Sequence, residues 1–311
     1  MIKFDKIKII APDSAVEGYK SNPYFETTTQ GDEVVRYKFS KNHPSLHLII
    51  TPQEYKATIE FSGKVLGEHY PELINRESIR ECLDRVNSMG LFHLDIDSIL
   101  QQGEVIQCDV TNDLVFHNLN KLREVVNSHL NTPKWALQQY SGGIVIAKTV
   151  KTSKYKRRLS IYDKGAEMRL KNNTDYIATL DNAEEIETYF HDKIRFELNL
   201  TSKQAIRDAL NVTNNSIMTV LQSQANPIRD AVNEAITLPI EEKQVSTLRD
   251  FERLIVLEHF NFELPKLKNS IRKFYKDTNG LNKTIKAYRE LSLNIANADY
   301  SWLRNLLDQA A

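Results

Sequence analysis

A tyrosine hydroxyl can attack phosphorus. Carboxylates can hold the divalent cation that makes a phosphate more electrophilic, and lysine or arginine can stabilise the charge that develops. Short segments of alternating apolar and polar residues offer all three. In RLSIYDK, Arg158, Ser160, Tyr162 and Lys164 share one face of a strand, opposite Leu159 and Ile161. In IRFELNL, Arg195, Glu197 and Asn199 oppose Ile194, Phe196 and Leu198. In VIQCDVT, Gln107, Asp109 and Thr111 oppose Ile106, Cys108 and Val110, and in LFHLDIDSI, His93, Asp95 and Asp97 oppose Phe92, Leu94 and Ile96. Oxygen ligands of this kind suit Mg²⁺ or Mn²⁺. Asp109 and Asp113 lie about 13 Å apart on one extended strand, too far to share an ion, whereas Asp95 and Asp97 at about 6.6 Å can. The plainer reading is an antiparallel sheet with one solvated face. A solvated face has no particular need of tyrosine beside lysine and arginine.

Charge is segregated along the chain. Lys plus Arg and Asp plus Glu both total 41, so bulk charge argues for no partner. Yet residues 148–171 carry nine basic residues, including Lys148, Lys154, Lys156, Arg157 and Arg158, against Asp163 and Glu167. Residues 172–192 then carry six acids and no Lys or Arg. A second basic stretch, 264–289, includes Lys268, Arg272, Lys273 and Lys276, with Tyr275 and Tyr288 interleaved. Both stretches suit a phosphate backbone, and a solvated helix face is the alternative for the second.

The elements that must position these residues follow from periodicity. Strands are predicted at 2–10, 34–39, 46–51, 56–61, 91–99, 104–110, 134–139, 143–148, 157–164 and 193–200. Helices are predicted at about 76–88, with Asn75 as cap, and 118–130. After residue 200 the pattern turns helical. TSKQ (201–204) reads as a capping box, and helices follow at 214–236, 245–261, 266–277 and 281–295. The expected fold class is α+β: a largely antiparallel sheet domain over 1–200, then a helical region over 201–311.

Four segments, FSGKVLGEHY (61–70), VIQCDVTNDL (105–114), RRLSIYDKGAEM (157–168) and KIRFELNL (193–200), carry a resemblance in their order and spacing. Over roughly residues 55–210 the sequence resembles the replication initiators of filamentous phages and the wider group of rolling-circle initiators. The resemblance implies a nuclease or relaxase-like sheet domain that nicks one strand of duplex origin DNA through a tyrosine, with Mg²⁺ or Mn²⁺. It stays attached to the 5′ phosphate while the free 3′ end primes synthesis, and later rejoins the displaced strand. Tyr162 falls at the nucleophile, with Lys164 beside it. Asp109 and Glu197 fall at the acids expected to hold metal, helped by Asp95 or Asp97. Arg158, Lys164 and Arg195 are expected to neutralise phosphate. Host helicase and polymerase are the further expected partners, in the bacterial cytoplasm.

This chain departs from its plasmid relatives in two respects. Their separate tyrosine, some 13 residues upstream, falls near Thr149, with Tyr155 and Tyr140 the nearest tyrosines. The usual His-hydrophobic-His pair is missing, and LHLII (46–50) and HLDID (93–97) are partial echoes. A non-catalytic origin binder or repressor on the same scaffold is therefore the alternative function, and a nuclease using water is a third. No Walker-type phosphate loop is present. Two cysteines exclude a disulfide framework. No apolar run approaches a membrane span, and the N-terminus has no signal-peptide character. A membrane partner is not expected.

Overall fold

A computed structural model describes residues 1–41, 47–116, 118–149, 157–236, 247–260, 263–297 and 301–308. Lys154, Lys156 and Tyr155 lie outside the described residues. The strands, in chain order, are β1 (Phe4–Ala11), β2 (Val16–Glu17), β3 (Glu26–Gln30), β4 (Glu33–Lys41), β5 (Leu48–Gln53), β6 (Lys56–Ser62), β7 (His93–Leu94), β8 (Glu104–Val115), β9 (Trp135–Tyr140), β10 (Gly143–Lys148), β11 (Arg157–Asp163) and β12 (Lys193–Leu200). Ten form one antiparallel sheet in the order β3-β4-β5-β6-β1-β8-β12-β11-β10-β9, and β2 pairs with β7. The three strands that carry the predicted chemistry, β8, β12 and β11, are consecutive neighbours. β1, from the chain's start, completes the centre.

Alternation gives this sheet two different faces. Phe4, Ile7, Ile9, Cys108, Val110, Leu159, Ile161, Phe196 and Leu198 are fully buried on one of them. Helices cover that face: α7 (Lys203–Leu210), α8 (Ile217–Leu221) and α9 (Pro227–Ala235) pack on β8 or β12. Before them in the chain come α1 (Ile79–Asn87), α2 (Ile96–Gln102), α3 (Leu119–His129), α4 (Lys164–Met168), α5 (Lys171–Ile177) and α6 (Ala183–Phe190). Tyr70, from the 3-10 segment Gly63–Glu72, joins Met168, Tyr176, Ile177, Ile186 and Phe190 in a second apolar cluster. This cluster closes one end of the polar face.

The expected strand over 91–99 is corrected. Only His93–Leu94 is extended, because Asp95 turns the chain. Its side chain accepts a hydrogen bond from the Ser98 amide and caps α2. The acidic stretch 172–192, which carried no predicted element, forms most of α5 and all of α6. Lys164 begins α4 instead of ending a strand, with Asp163 as its cap. Asn75 sits ahead of α1 in a turn, accepting from the amides of Glu77 and Ser78, so Ser78 is the capping position.

Residue 200 is the last of the sheet, but the first compact unit continues to Ile236. The helices α7–α9 complete that unit. The second unit contains α10 (Leu248–His259), α11 (Leu264–Ile271), α12 (Thr278–Asn297) and α13 (Ser301–Asp308). It has its own core of Leu257, Leu267, Leu281, Ile285 and Leu291.

Candidate active site

The sheet register turns four separate sequence segments into three rows across the polar face. Tyr162 pairs with Arg195, which pairs with Asp113. Ser160 pairs with Glu197, which pairs with Thr111. Arg158 pairs with Asn199, then Asp109, then Lys6 of β1. The β1 register slips between Phe4 and Lys6. A bulge of this kind lets successive residues serve one face: Asp5 reaches Arg195 while Lys6 reaches Asp109.

Arg195 is the hub of the first row. Its guanidinium forks onto Asp113 with two bonds of 2.7 Å and donates to Asp5 at 2.5 Å and to the Tyr70 hydroxyl at 3.1 Å. The Tyr70 hydroxyl also donates to Asp5, at 3.0 Å. Rigid forked geometry is what arginine supplies and lysine does not. Arg195 has no exposed surface, so its charge is spent inside the protein. Lys164 is likewise buried, bonded to Glu167 at 2.6 Å and seated against the rings of Tyr70 and Phe190. Asn173 ties Glu167 to Lys64. Burial, with repulsion from Lys164, pulls the Lys64 ammonium down to about 8.

The tyrosine and the two leading acids meet beside this hub. The Tyr162 hydroxyl donates to Glu197 Oε2 at 3.0 Å. Burial, and then repulsion from Asp5 and Asp109, push the Glu197 carboxyl up to about 7. Burial and the Glu197 carboxylate hold the Tyr162 phenol well above its ordinary value. Burial also raises Asp109, partly offset by Lys6 at 3.7 Å and by a bond from the Asn199 amide. Between β1 and β6, Lys6 stands opposite Ser62 and Lys8 opposite Glu60, whose carboxylate accepts from His47 at 2.8 Å and meets the Lys8 ammonium at 3.0 Å. The His47 bond, with Lys8, pulls the Glu60 carboxyl down to about 2 against its burial.

The structure brings together Tyr162, Glu197, Asp109 and Arg158, with Lys164 behind the hub. It does not bring Asp95 or Asp97 to this face. Asp95 is committed to its helix cap, and Asp97, on α2, pairs with Arg80 at 2.6 Å in solvent. Arg195, expected to meet phosphate, is buried and fully paired. Lys148 and Arg157 point to the helix-covered face, where both pair with Glu234 of α9. Lys268, Arg272, Lys273 and Lys276 are all exposed or half-buried in the second unit. Sequence reading missed Asp5, Lys6, Tyr70 and Glu60. Tyr70 ends one of the four segments that carry the resemblance, but the other three had no signal beyond membership of a strand, and nothing local placed β1 next to β8.

A hard divalent cation fits the donor chemistry here. Asp109 is a buried carboxylate and Glu197 a half-buried one, and they repel one another. Mg²⁺ commonly takes one or two protein carboxylates and leaves other positions to water and phosphate. Among the described residues no group of three or more His, Cys, Asp or Glu side chains is arranged to hold an ion.

Fold and site together define an antiparallel-sheet α/β protein with a half-buried acid–tyrosine centre on one sheet face. Residues 76–219 match the family model for the N-terminal part of a replication-associated protein, the replication initiator of filamentous phages. The match takes in Asp109, Asp113, Tyr162, Lys164, Arg195 and Glu197 and leaves out all of β1. It supports a role in replication initiation, which implies binding of origin DNA. No curated protein matches the chain.

Proposed function

We propose that this protein nicks one strand of origin DNA through Tyr162 and later rejoins it. The observation that carries the reading is the Tyr162–Glu197 hydrogen bond of 3.0 Å, with Glu197 raised to about 7 beside Asp109. A carboxyl near neutrality is matched to accepting a phenolic proton at working pH. The Tyr162 oxygen attacks phosphorus as its proton passes to Glu197. The bond from phosphorus to the 3′ oxygen breaks, and that oxygen leaves as a hydroxyl after taking up a proton. The 5′ phosphate remains on the tyrosine. Attack by a 3′ hydroxyl reverses the step and frees Tyr162. Asp109 and the second Glu197 oxygen would hold Mg²⁺ or Mn²⁺, which neutralises phosphate charge. Asp5, Asp113 and Tyr70 act through Arg195, fixing the strand that presents Glu197. Lys164 is a positioning residue, since Glu167 occupies its ammonium. The displaced strand and the host helicase and polymerase complete the proposed partners, in a bacterial cytoplasm. No described helix is long and apolar enough to cross a membrane.

The raised Tyr162 phenol favours one second reading, an origin binder without chemistry, because a phenol held protonated is a poor nucleophile. A supercoiled plasmid bearing the cognate origin separates the two. With Mn²⁺, wild-type protein is expected to yield open circles and a protein–DNA band on a denaturing gel. Tyr162→Phe should yield neither, yet should still retard the origin fragment. Retardation without any nick by the wild type would leave the binding reading alone.

A further inference from the structure

We propose that an open cavity between β4 and the segment that follows β1 takes an arginine side chain carried by a basic segment of a partner protein. The site goes beyond the proposed function and stands apart from the tyrosine chemistry. Its whole lining precedes residue 76, outside the segment matched by the family model. The cavity has a volume of about 390 Å³. It lies against β4, six strand spacings from the strand of Tyr162, about 29 Å along the sheet. A partner seated there leaves the acid–tyrosine centre open.

The local fold builds this cavity. Thr28 of β3 pairs with Arg36 of β4 and Thr29 with Val34, so Val35 is the extra residue of a bulge. The bulge lets Val34 and Val35, neighbours in the chain, both line the cavity. Tyr19 and Tyr37 also line it and meet edge to face, with ring centres 4.9 Å apart. Tyr19 is only 9% exposed, and its hydroxyl has no hydrogen-bond partner among the described residues. What surface that oxygen keeps, it keeps toward the cavity. Burial, and then the Asp13 carboxylate, raise the Tyr19 phenol. Asp13, Glu33 and Glu54 add three carboxylates to the lining, none in an ion pair with a described residue. Lys20 is the one basic residue of the lining, so negative charge is in excess.

Each part of this lining selects against one class of ligand and for another. The carboxylates repel phosphate, so DNA is not the occupant. Among the described residues no three acids are arranged to hold a metal ion. An organic cation remains. Tyrosine rings attract it, and the two valines suit an alkyl stem. The oxygens of Tyr19, Asp13, Glu33 and Glu54 are acceptors that ask for several donors at once. Guanidinium supplies five in a flat fork that also stacks on aromatic rings, whereas an ammonium is a point charge. The occupant is therefore arginine before lysine.

The test is saturation-transfer NMR with the full chain and the peptide acetyl-Gly-Ser-Arg-Arg-Ser-Gly-amide. Saturation is expected on the arginine side-chain protons. The same peptide with two lysines should bind more weakly, and with two alanines not at all. Asp13→Asn/Glu33→Gln/Glu54→Gln should weaken the arginine peptide about tenfold, and Tyr19→Phe about threefold. Lys20→Gln removes the opposing cation and should tighten binding about twofold, a gain that misfolding cannot produce. All three variants should act on the origin plasmid as the wild type does, so a failure here is distinct from a failure of the tyrosine chemistry. Equal saturation of the alanine peptide, or an arginine peptide indifferent to the triple variant, would overturn the proposal. So would displacement of the peptide by spermidine at a lower concentration than the peptide itself needs, which would make the cavity a polyamine site.

Discussion

Glu197 concentrates the electrostatic strain of the site, and it makes the site's pH behaviour predictable. Its carboxyl is raised from the ordinary 4.5 to about 7. Between those values the native state holds a proton that the unfolded chain has lost, so unfolding free energy falls as pH rises through the window. The native state is then penalised by roughly 3 kcal/mol above pH 7. In chelator, thermal unfolding should show stability declining from pH 5 to pH 8. Glu197→Gln should flatten that decline and be the more stable protein at pH 8, while failing to form the DNA adduct. Adding Mn²⁺ to the wild type at pH 8 should recover stability, since the ion favours the ionised carboxylates. A wild-type profile that matches Glu197→Gln in chelator would contradict this account of the raised acid.

At the scale of elements, the period-two alternation made Tyr162, Glu197 and Asp109 legible because the apolar residues next to each of them, Ile161, Phe196, Leu198, Cys108 and Val110, are buried. It could not show Asp5 or Lys6 as site residues. Their strand alternates in the same way, but only the order β1-β8-β12-β11 sets them beside the acids. The same pattern misled at Asp95 and Asp97, where alternation over a few residues coincided with a helix cap. Arg195 was legible as a polar-face residue but not as a buried one, because Asp113, Asp5 and Tyr70 come from distant positions in the chain. α4 follows Tyr162 directly and is held close to α6: a Cβ on Gly165 would stand 2.6 Å from the His191 carbonyl oxygen and 2.8 Å from that of Phe190. Gly165→Ala should therefore cost about 1–3 kcal/mol by overpacking. It should also slow adduct formation by moving the Asp163 cap beside Tyr162. A calorimetric melting point unchanged from wild type would show that α4 has room to shift.

At the scale of the whole molecule, the chain separates a sheet unit that carries the acid–tyrosine centre from a helical unit that carries an exposed basic segment. The change of pattern at residue 200 was visible in the sequence. The true end of the sheet unit was not, since α7–α9 are amphipathic helices like those beyond them and differ only in covering β8 and β12. Residues 1–236 expressed alone should unfold cooperatively and form the adduct on a single-stranded oligonucleotide at a rate comparable to the full chain. On duplex origin DNA the fragment should show a salt slope shallower by up to about 3 to 4, if Lys268, Arg272, Lys273 and Lys276 each neutralise a phosphate. An identical slope for fragment and full chain would remove the second unit from DNA binding.

The central claim is that Tyr162 becomes covalently joined to the 5′ phosphate of the nicked strand. The most direct measurement is peptide mass spectrometry of the denatured adduct, formed on the cognate origin with Mn²⁺ and trimmed with nuclease. The account predicts a 5′-nucleotide on Tyr162 and an unmodified Tyr140. A nucleotide on any other tyrosine, or cleaved DNA with no peptide attached, would contradict it.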